Sequence, residues 1–146
     1  MKWKMSRKLI ISAAVLAALI LLIQLVPVEQ TNPPVEADLV APAPVKDILR
    51  RACYDCHSHE TRWPWYGRVA PFSWWLAEHV TDGRADLNFS RWPIFDFEAR
   101  ELMLRDIEKQ LMDGTMPLGS YVLGHREARL SDRDREVLLE WVRAGS

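Results

Sequence analysis

Cys53–His57, with the sequence CYDCH, is the stretch that decides how this chain folds. It contains the only two cysteines of the sequence, and a histidine directly follows the second one. On a helical turn this spacing brings both thiols to one haem edge, while the next residue points its imidazole at the iron. The pattern therefore predicts one covalent haem c per chain, with Cys53 and Cys56 forming thioether bonds and His57 ligating the iron.

Other interpretations of the same motif are a disulfide, a thioredoxin-like redox pair, and a zinc site that includes His59. A thioredoxin site needs a βαβ context, and no strand-rich pattern surrounds the cysteines. A structural zinc site usually distributes its ligand pairs over a longer loop, and four donors between Cys53 and His59 would be crowded. Covalent haem is therefore the preferred interpretation.

The N-terminus resembles an export segment in its pattern. An uncharged, largely apolar run, Leu9–Val26, would span roughly 27 Å as a helix, close to the thickness of a bilayer core. No small-x-small cleavage site follows it closely, which favours an uncleaved signal anchor and transmembrane helix over residues 1–26. Basic residues precede the run: Lys2, Lys4, Arg7 and Lys8.

This charge pattern predicts a cytoplasmic N-terminus and a single-pass protein of a bacterial inner membrane, in contact with lipid through its anchor. The haem domain would face the periplasm or the cell exterior. Residues 27–44 are rich in proline and predict an extended extracytoplasmic linker. Residues 45–146 then form the haem-binding domain. The net charge of the chain is −1, and no basic stripe indicates nucleic acid as a partner.

Helix signals dominate residues 45–146. Helices are predicted over Pro44–Cys56 and over Asp96–Asp113, where Gly114 is a C-terminal stop signal. Ser131 and Asp134 predict a capping box at the start of a last amphipathic helix. Strand patterns are scarce, so the predicted fold is all-α: a small cytochrome c-like helical domain wrapped around one covalent haem, preceded by the transmembrane helix.

The second axial ligand is predicted to be Met116. It follows a helix stop in a loop, and Pro117 would stiffen the backbone behind the thioether. The methionines of the preceding helix, Met103 and Met112, suit packing better. Rivals for the sixth position are His79 and His125, and an open sixth position is a further alternative.

The residues around these motifs resemble the bacterial haem-binding domain proteins, which are small membrane-anchored proteins with one C-x-x-C-H element. The resemblance implies covalent haem c and a cytochrome c-like fold, but it does not supply a reaction. The matching stretches are Cys53–Ser58, Glu60–Tyr66, Pro71–Trp75, His79–Val80, Gly83–Arg84, Leu87–Trp92, Met116–Pro117, Tyr121, His125–Ser131 and Trp141.

These features together predict a membrane-anchored monohaem cytochrome that transfers single electrons outside the cytoplasm and has no catalytic residues of its own. Its partners would be redox proteins and the cytochrome c maturation machinery. The alternative is a haem-based sensor or ligand-binding module with an open or displaceable sixth position. A peroxidase would need a distal His–Arg pair, for which His79 and Arg84 are the only neighbouring candidates. A non-haem metal or thiol module is the third possibility.

Overall fold

The structure is a computed structural model that describes residues 6–145. Over this part of the chain the secondary structure is helical without a strand, so the predicted all-α fold is confirmed. Three short 3₁₀ helices, Trp65–Arg68, Phe89–Ile94 and Arg126–Ala128, accompany the α-helices. The α-helices are α1 (Arg7–Ile23), α2 (Ala43–Ala52), α3 (Tyr54–His57), α4 (Phe72–Asp86), α5 (Phe97–Asp113), α6 (Gly119–Gly124) and α7 (Asp132–Arg143).

The predicted transmembrane helix over residues 1–26 is wrong. Helix α1 has 17 residues and begins with two cations, so its apolar part, Leu9–Ile23, extends only about 22 Å. A bilayer core needs about 30 Å. Between residues 6 and 145 no helix combines the length and the apolar character that crossing a membrane requires. The predicted single-pass localisation in a bacterial inner membrane is overturned by the same finding. Lys2 and Lys4 of the predicted basic start lie outside the described residues.

The chain folds as two compact units. The first comprises α1 with the residues up to Gln30, and residues 63–78. Gln24, directly after α1, accepts a hydrogen bond from the Ala70 amide at 2.9 Å and donates to the Ala70 carbonyl at 3.2 Å. The side chain of Gln30 donates to the Gly67 carbonyl. The end of α1 is therefore fixed by backbone groups of residues 63–78.

The second unit comprises residues 31–62 and 79–146, of which Ser146 lies outside the described residues. Helix α7 packs against both α2 and α5. Their apolar faces enclose a core in which Leu49, Phe89 and Leu138 are at most 1% exposed. Burying one such side chain contributes about 1.5–3 kcal/mol.

The helix boundaries of this unit follow local sequence signals. The Asp96 side chain accepts a hydrogen bond from the Ala99 amide, so it caps the N-terminus of α5. Gly114 ends the same helix with a left-handed backbone, at a φ of 66° that glycine adopts without strain. Ser131 and Asp134 form the predicted capping box of α7 in full. These predictions are confirmed because each depends on neighbours within one helical turn.

Two segments differ from the predicted secondary structure. The predicted helix Pro44–Cys56 is interrupted at Cys53, whose φ of −127° separates α2 from α3. The predicted loop that contains Met116 is followed by α6 and by the 3₁₀ helix Arg126–Ala128.

Residues 31–39 pack against the helices of the second unit, although the sequence predicts a linker here. The Ala37 amide donates to the Ser90 carbonyl and the Leu39 amide donates to the Phe89 carbonyl. The Leu39 side chain is 3% exposed and belongs to the core. This part of the proline-rich segment is therefore integral to the fold of the second unit.

Candidate functional site

Residues 53–57, here called the CYDCH turn, are held by a compact set of backbone hydrogen bonds. The amides of Cys56 and His57 both donate to the Cys53 carbonyl, at 3.1 and 2.9 Å. Directly after the turn, the fully buried Ser58 hydroxyl donates to the Tyr54 carbonyl and accepts from the Glu60 amide. The conformation of the turn is therefore stabilised by hydrogen bonds among residues 53–60.

The imidazole of His57 is oriented by backbone groups at the C-terminal end of α4. Its Nδ1 lies 2.8 Å from the Gly83 carbonyl oxygen and 3.2 Å from that of Leu87. Because carbonyls only accept, Nδ1 carries the proton and Nε2 keeps its lone pair for a metal ion. Burial lowers the pKa of His57, although hydrogen bonds to both carbonyls oppose that effect. A neutral imidazole with a fixed tautomer is the state that a metal ligand needs.

Gly83 allows α4 to approach the CYDCH turn this closely. A Cβ at this position would lie 2.8 Å from the Cys56 carbonyl oxygen and 3.3 Å from the Cys56 Cβ. Real Cβ atoms essentially never approach a backbone oxygen to 2.8 Å, so any larger residue would push the helix away. The same glycine supplies the carbonyl that holds His57. Sequence reasoning missed it, because the contact joins segments that are far apart in the chain.

The two thiols do not have the lowered pKa of a reactive redox pair. Both cysteines are free, and burial raises the pKa of Cys53 to about 12 and that of Cys56 to about 11. Reactive cysteines instead have lowered pKa values. Within residues 6–145, no three histidine, cysteine or acidic side chains lie together in a way that could hold a metal ion.

His59 is excluded as a ligand by its own hydrogen bonds. It is buried, its Nδ1 donates to the Pro34 carbonyl at 2.8 Å, and its Nε2 accepts from the Asn88 amide nitrogen at 2.8 Å. Both ring nitrogens therefore have protein partners. His59 fastens the proline-rich segment to the loop after α4.

A cavity of about 390 Å³ lies in the second unit, in front of the CYDCH turn. It is lined by Cys53, His57 and Met116, whereas Cys56 is not among its lining residues. The volume is in the range of roughly 300–1,000 Å³ that is typical of small-molecule and cofactor sites. Most of the wall is apolar and comes from the core, including Leu49, Ala52, Phe89, Leu111, Leu130 and Leu138.

A second methionine shares this cavity. Met103 lines it from α5, together with Asp106, Ile107 and Gln110. Their spacing places them on one helical face, and that spacing was a readable signal for Met103. Of the side chains described, those of His79, His125 and Met112 are not part of the lining. The structure therefore brings His57 together with Met116 and Met103, and not with either histidine rival.

The guanidinium of Arg84 is already bonded to other residues and is not placed to form a peroxidase-type pair with His79. Its Nε donates to the Ser58 carbonyl at 2.7 Å, and its terminal nitrogens donate to the Thr31 carbonyl and to the side chains of Asn32 and Thr61. Burial lowers the pKa of this guanidinium. The arginine therefore braces residues 31–32 and 58–61 and does not line the cavity described above.

The residues of this cavity fit a haem group. An imidazole with a free Nε2 and two thioether sulfurs are suitable axial ligands, and a mostly apolar wall suits the porphyrin face. Cys53 lines the same cavity, as the residue of a vinyl attachment point must.

Comparison with known proteins agrees with this fit. The sequence model of the family described as "Haem-binding domain" matches residues 18–144, which is most of the chain. No curated protein and no solved structure matches the chain significantly. A match of this extent, together with a cavity that combines a metal-ready histidine, a cysteine and two methionines, leads to one conclusion: the chain belongs to the haem-binding domain family and binds haem.

Proposed function

We propose that the chain is a monohaem cytochrome of the c type that carries single electrons between redox proteins. In this proposal Cys53 and Cys56 form the thioether bonds, His57 is the proximal ligand and Met116 is the distal ligand. The observation that supports it best is the geometry of His57, whose Nδ1 is committed to two backbone carbonyls and whose Nε2 is left for coordination. That imidazole lines an apolar cavity that a cysteine and a methionine also line.

The chain's residues have separable tasks in this function. Gly83 and Leu87 orient the imidazole of His57 through their carbonyls. The apolar wall excludes water, which limits reorganisation around a changing charge. A thioether from Met116 is a soft ligand that favours the reduced form. The haem, when bound, supplies a one-electron Fe(III)/Fe(II) couple.

Electron transfer agrees with the cavity better than turnover of a substrate does. The guanidinium of Arg84 is committed to carbonyls and side chains of residues 31–61, so it cannot serve as a distal catalytic arginine. The charged side chains that line the cavity are the exposed carboxylates of Asp86 and Asp106. A redox partner with a basic surface around its own cofactor would complement this rim, and salt would then slow their association.

The test is to express the full chain together with the cytochrome c maturation machinery and compare four proteins. Wild type should keep its haem after denaturation and acid extraction, which shows covalent attachment. The double variant Cys53→Ala, Cys56→Ala should release it. Met116→Leu and Met103→Leu remove one thioether each at nearly constant volume, so they form a matched pair.

The proposal expects the weak far-red absorption band of thioether-ligated ferric haem in wild type and in Met103→Leu, and its loss in Met116→Leu. Loss in Met103→Leu alone would move the distal ligand to α5. Haem that is extracted from wild type without denaturing chemistry would contradict the c-type assignment. Rapid carbon monoxide binding to the reduced wild type would indicate an open sixth position and would favour a sensor.

A further inference from the structure

Asp55, the residue between Tyr54 and Cys56 of the CYDCH turn, is bonded to the segment that contains Met116. The hydroxyl of Tyr121 donates to Asp55 Oδ2 at 2.6 Å. Tyr121 lies in α6, only five positions after Met116 in the sequence. This hydrogen bond therefore joins the cysteine-bearing turn directly to residues 114–124, here called the methionine segment.

The carboxylate of Asp55 is fixed independently of Tyr121. Its Oδ1 accepts from the Arg62 amide at 3.0 Å and from Arg62 Nε at 3.2 Å, while Oδ2 accepts from Arg62 Nη2 at 3.2 Å. Asp55 is 8% exposed, whereas the Arg62 side chain is 64% exposed. A charged, buried acceptor that is held by three other hydrogen bonds is a rigid anchor for the phenol.

The position of Tyr121 is also fixed by contacts within the methionine segment and with His125. Its ring stacks on that of His125 with 4.1 Å between centroids and 13° between planes. Its carbonyl accepts from the His125 amide at 3.0 Å. Burial raises the pKa of Tyr121, and the bond to Asp55 acts in the same direction, so the phenol remains a neutral donor. The Tyr121 side chain is thus fixed at α6 and connects this helix to the CYDCH turn.

We propose that Asp55 and Tyr121 are positioning residues that form a latch, which holds the methionine segment against the CYDCH turn so that Met116 stays in the cavity. This inference rests on the proposed function for the role of Met116 as the distal ligand. Methionine offers only a weakly accepting sulfur, so hydrogen bonds cannot fix its side chain directly. The position of its thioether depends on the backbone, which the latch holds at a residue five positions further along the chain.

The test uses Tyr121→Phe, which removes the hydroxyl and keeps the ring that stacks on His125. The matched control is Tyr54→Phe, because Tyr54 also donates its hydroxyl to a carboxylate, at 2.8 Å, but that carboxylate belongs to Asp38, which precedes α2. Tyr121→Phe loses one charge-assisted hydrogen bond, and Tyr54→Phe loses two, because Lys46 Nζ also donates to the Tyr54 hydroxyl. A general loss of stability should therefore be at least as large in the control. Asp55→Asn and the double variant Asp55→Asn, Tyr121→Phe complete a double-mutant cycle.

The first measurement is a titration of the haem-loaded full chain with imidazole, followed at the thioether band. The latch predicts that Tyr121→Phe needs roughly tenfold less imidazole for half displacement, the scale of one hydrogen bond to a charged group. Tyr54→Phe should change that concentration less than about twofold. Tyr121→Phe should add little to the effect of Asp55→Asn. Equal shifts in the two tyrosine variants, or no shift in Tyr121→Phe, would overturn the latch.

The second measurement is hydrogen exchange, which does not depend on Met116 being a ligand. The amides of Val122 and His125 donate within and directly after α6, at 3.0 Å each. They should exchange faster in Tyr121→Phe than in wild type and should be unchanged in Tyr54→Phe. Unchanged exchange in Tyr121→Phe contradicts the latch. If wild type lacks the thioether band, the proposed ligation fails, and the exchange result alone decides whether the latch exists.

Discussion

The CYDCH turn and the methionine segment line the same cavity, but they are restrained in different ways. His57 is held by two backbone carbonyls at the end of α4, and α4 is held close by a glycine that tolerates no Cβ. The methionine segment is bonded to the turn through side chains, by Tyr121 and Asp55. Backbone acceptors cannot be mutated away, whereas a side-chain bond can. Substituting side chains should therefore disturb the position of His57 less than that of the methionine segment. A larger residue at Gly83, in contrast, should disturb His57 severely.

The largest effect should come from the core beneath His57. Phe89 is 1% exposed, stacks on Tyr54 with 5.1 Å between centroids, and presents its ring to the edge of His57 at 6.5 Å. Phe89→Ala should lower the free energy of unfolding by about 3–5 kcal/mol, because it removes a fully buried ring and leaves a void in the core. Leu123→Ala, at a residue of α6 that is 84% exposed, should change it by less than about 0.5 kcal/mol. Urea denaturation of both variants measures the two changes in the free energy of unfolding. Similar decreases in the two variants would contradict the expected difference between the two regions.

Gly83→Ala should have the next largest effect and tests crowding on the proximal side. Alanine favours helices by up to about 1 kcal/mol over glycine, but its Cβ would overlap the Cys56 carbonyl, at a cost of about 1–3 kcal/mol. The variant should therefore be less stable and should attach less haem, since His57 loses its orientation. Gly119→Ala is the matched control on the distal side, because a Cβ there meets nothing within 4 Å. A Gly83→Ala protein as stable and as haem-loaded as wild type would show that α4 can shift without consequence.

His59→Leu sharpens the distinction between the two histidines near the turn. The variant leaves the buried Pro34 carbonyl and the Asn88 amide without their partner, which should lower the free energy of unfolding by about 1–3 kcal/mol. The haem content per folded chain should not change, because both nitrogens of His59 are already bonded to protein. Thermal denaturation and a haem assay on the same preparation check both statements. A loss of haem without a loss of stability would assign His59 a ligand role after all.

The smallest effect concerns an ion pair that connects α2, the helix before the turn, to α7. Arg51 Nη2 lies 2.6 Å from Asp134 Oδ1, and this contact, together with hydrogen bonds from Ser131, lowers the pKa of Asp134 from 3.8 to about 2. The stabilisation is therefore fully present well above pH 3.8 and is lost as the pH falls from there to about 2. Arg51→Leu should lower the free energy of unfolding by about 1 kcal/mol at neutral pH, and the difference from wild type should shrink towards about pH 2. The part that remains there comes from the hydrogen bond of Arg51 Nη1 to the Glu127 carbonyl, at 2.7 Å, which does not titrate.

The control for this prediction is Arg133→Leu, which removes an exposed arginine whose pair with Glu136 lies within α7. Its effect should be a few tenths of a kcal/mol. Denaturation curves recorded between about pH 2 and pH 7 compare the two variants. A difference between Arg51→Leu and wild type that does not shrink at all towards the acid end would contradict the role of the ion pair and attribute the effect to the other contacts of Arg51.

Local signals were sufficient for much of the second unit. The ends of α5 at Asp96 and Gly114, and the capping box at Ser131, depend on groups within one helical turn, and the sequence predicts them correctly. The CYDCH motif predicted that Cys53, Cys56 and His57 serve one site; Cys53 and His57 line the cavity, whereas Cys56 does not. The haem-binding assignment follows from that motif, and the family match supports it independently.

What could not be predicted depends on contacts between distant segments. The packing of Gly83 on Cys56 joins two helices that are separated by a long stretch of chain, and no periodicity in the sequence reports it. The end of α1 at Ile23 was missed because the apolar run continues to Val26, and hydropathy does not show that Gln24 bonds to Ala70. Met103 was attributed to packing alone, although its helix face is the one that lines the cavity.

The packing of residues 31–39 determines where this protein can be cut. A fragment that begins at Val45 would lose Asp38, the acceptor for both Lys46 Nζ at 2.7 Å and the Tyr54 hydroxyl at 2.8 Å. It would also lose Leu39 from the core and the carbonyl partner of His59. Such a fragment would expose the side of the CYDCH turn that residues 34–39 cover, and it would do so whether or not haem is bound. The shortest version of the second unit that keeps these contacts and the bonds of Arg84 to Thr31 and Asn32 starts near Thr31.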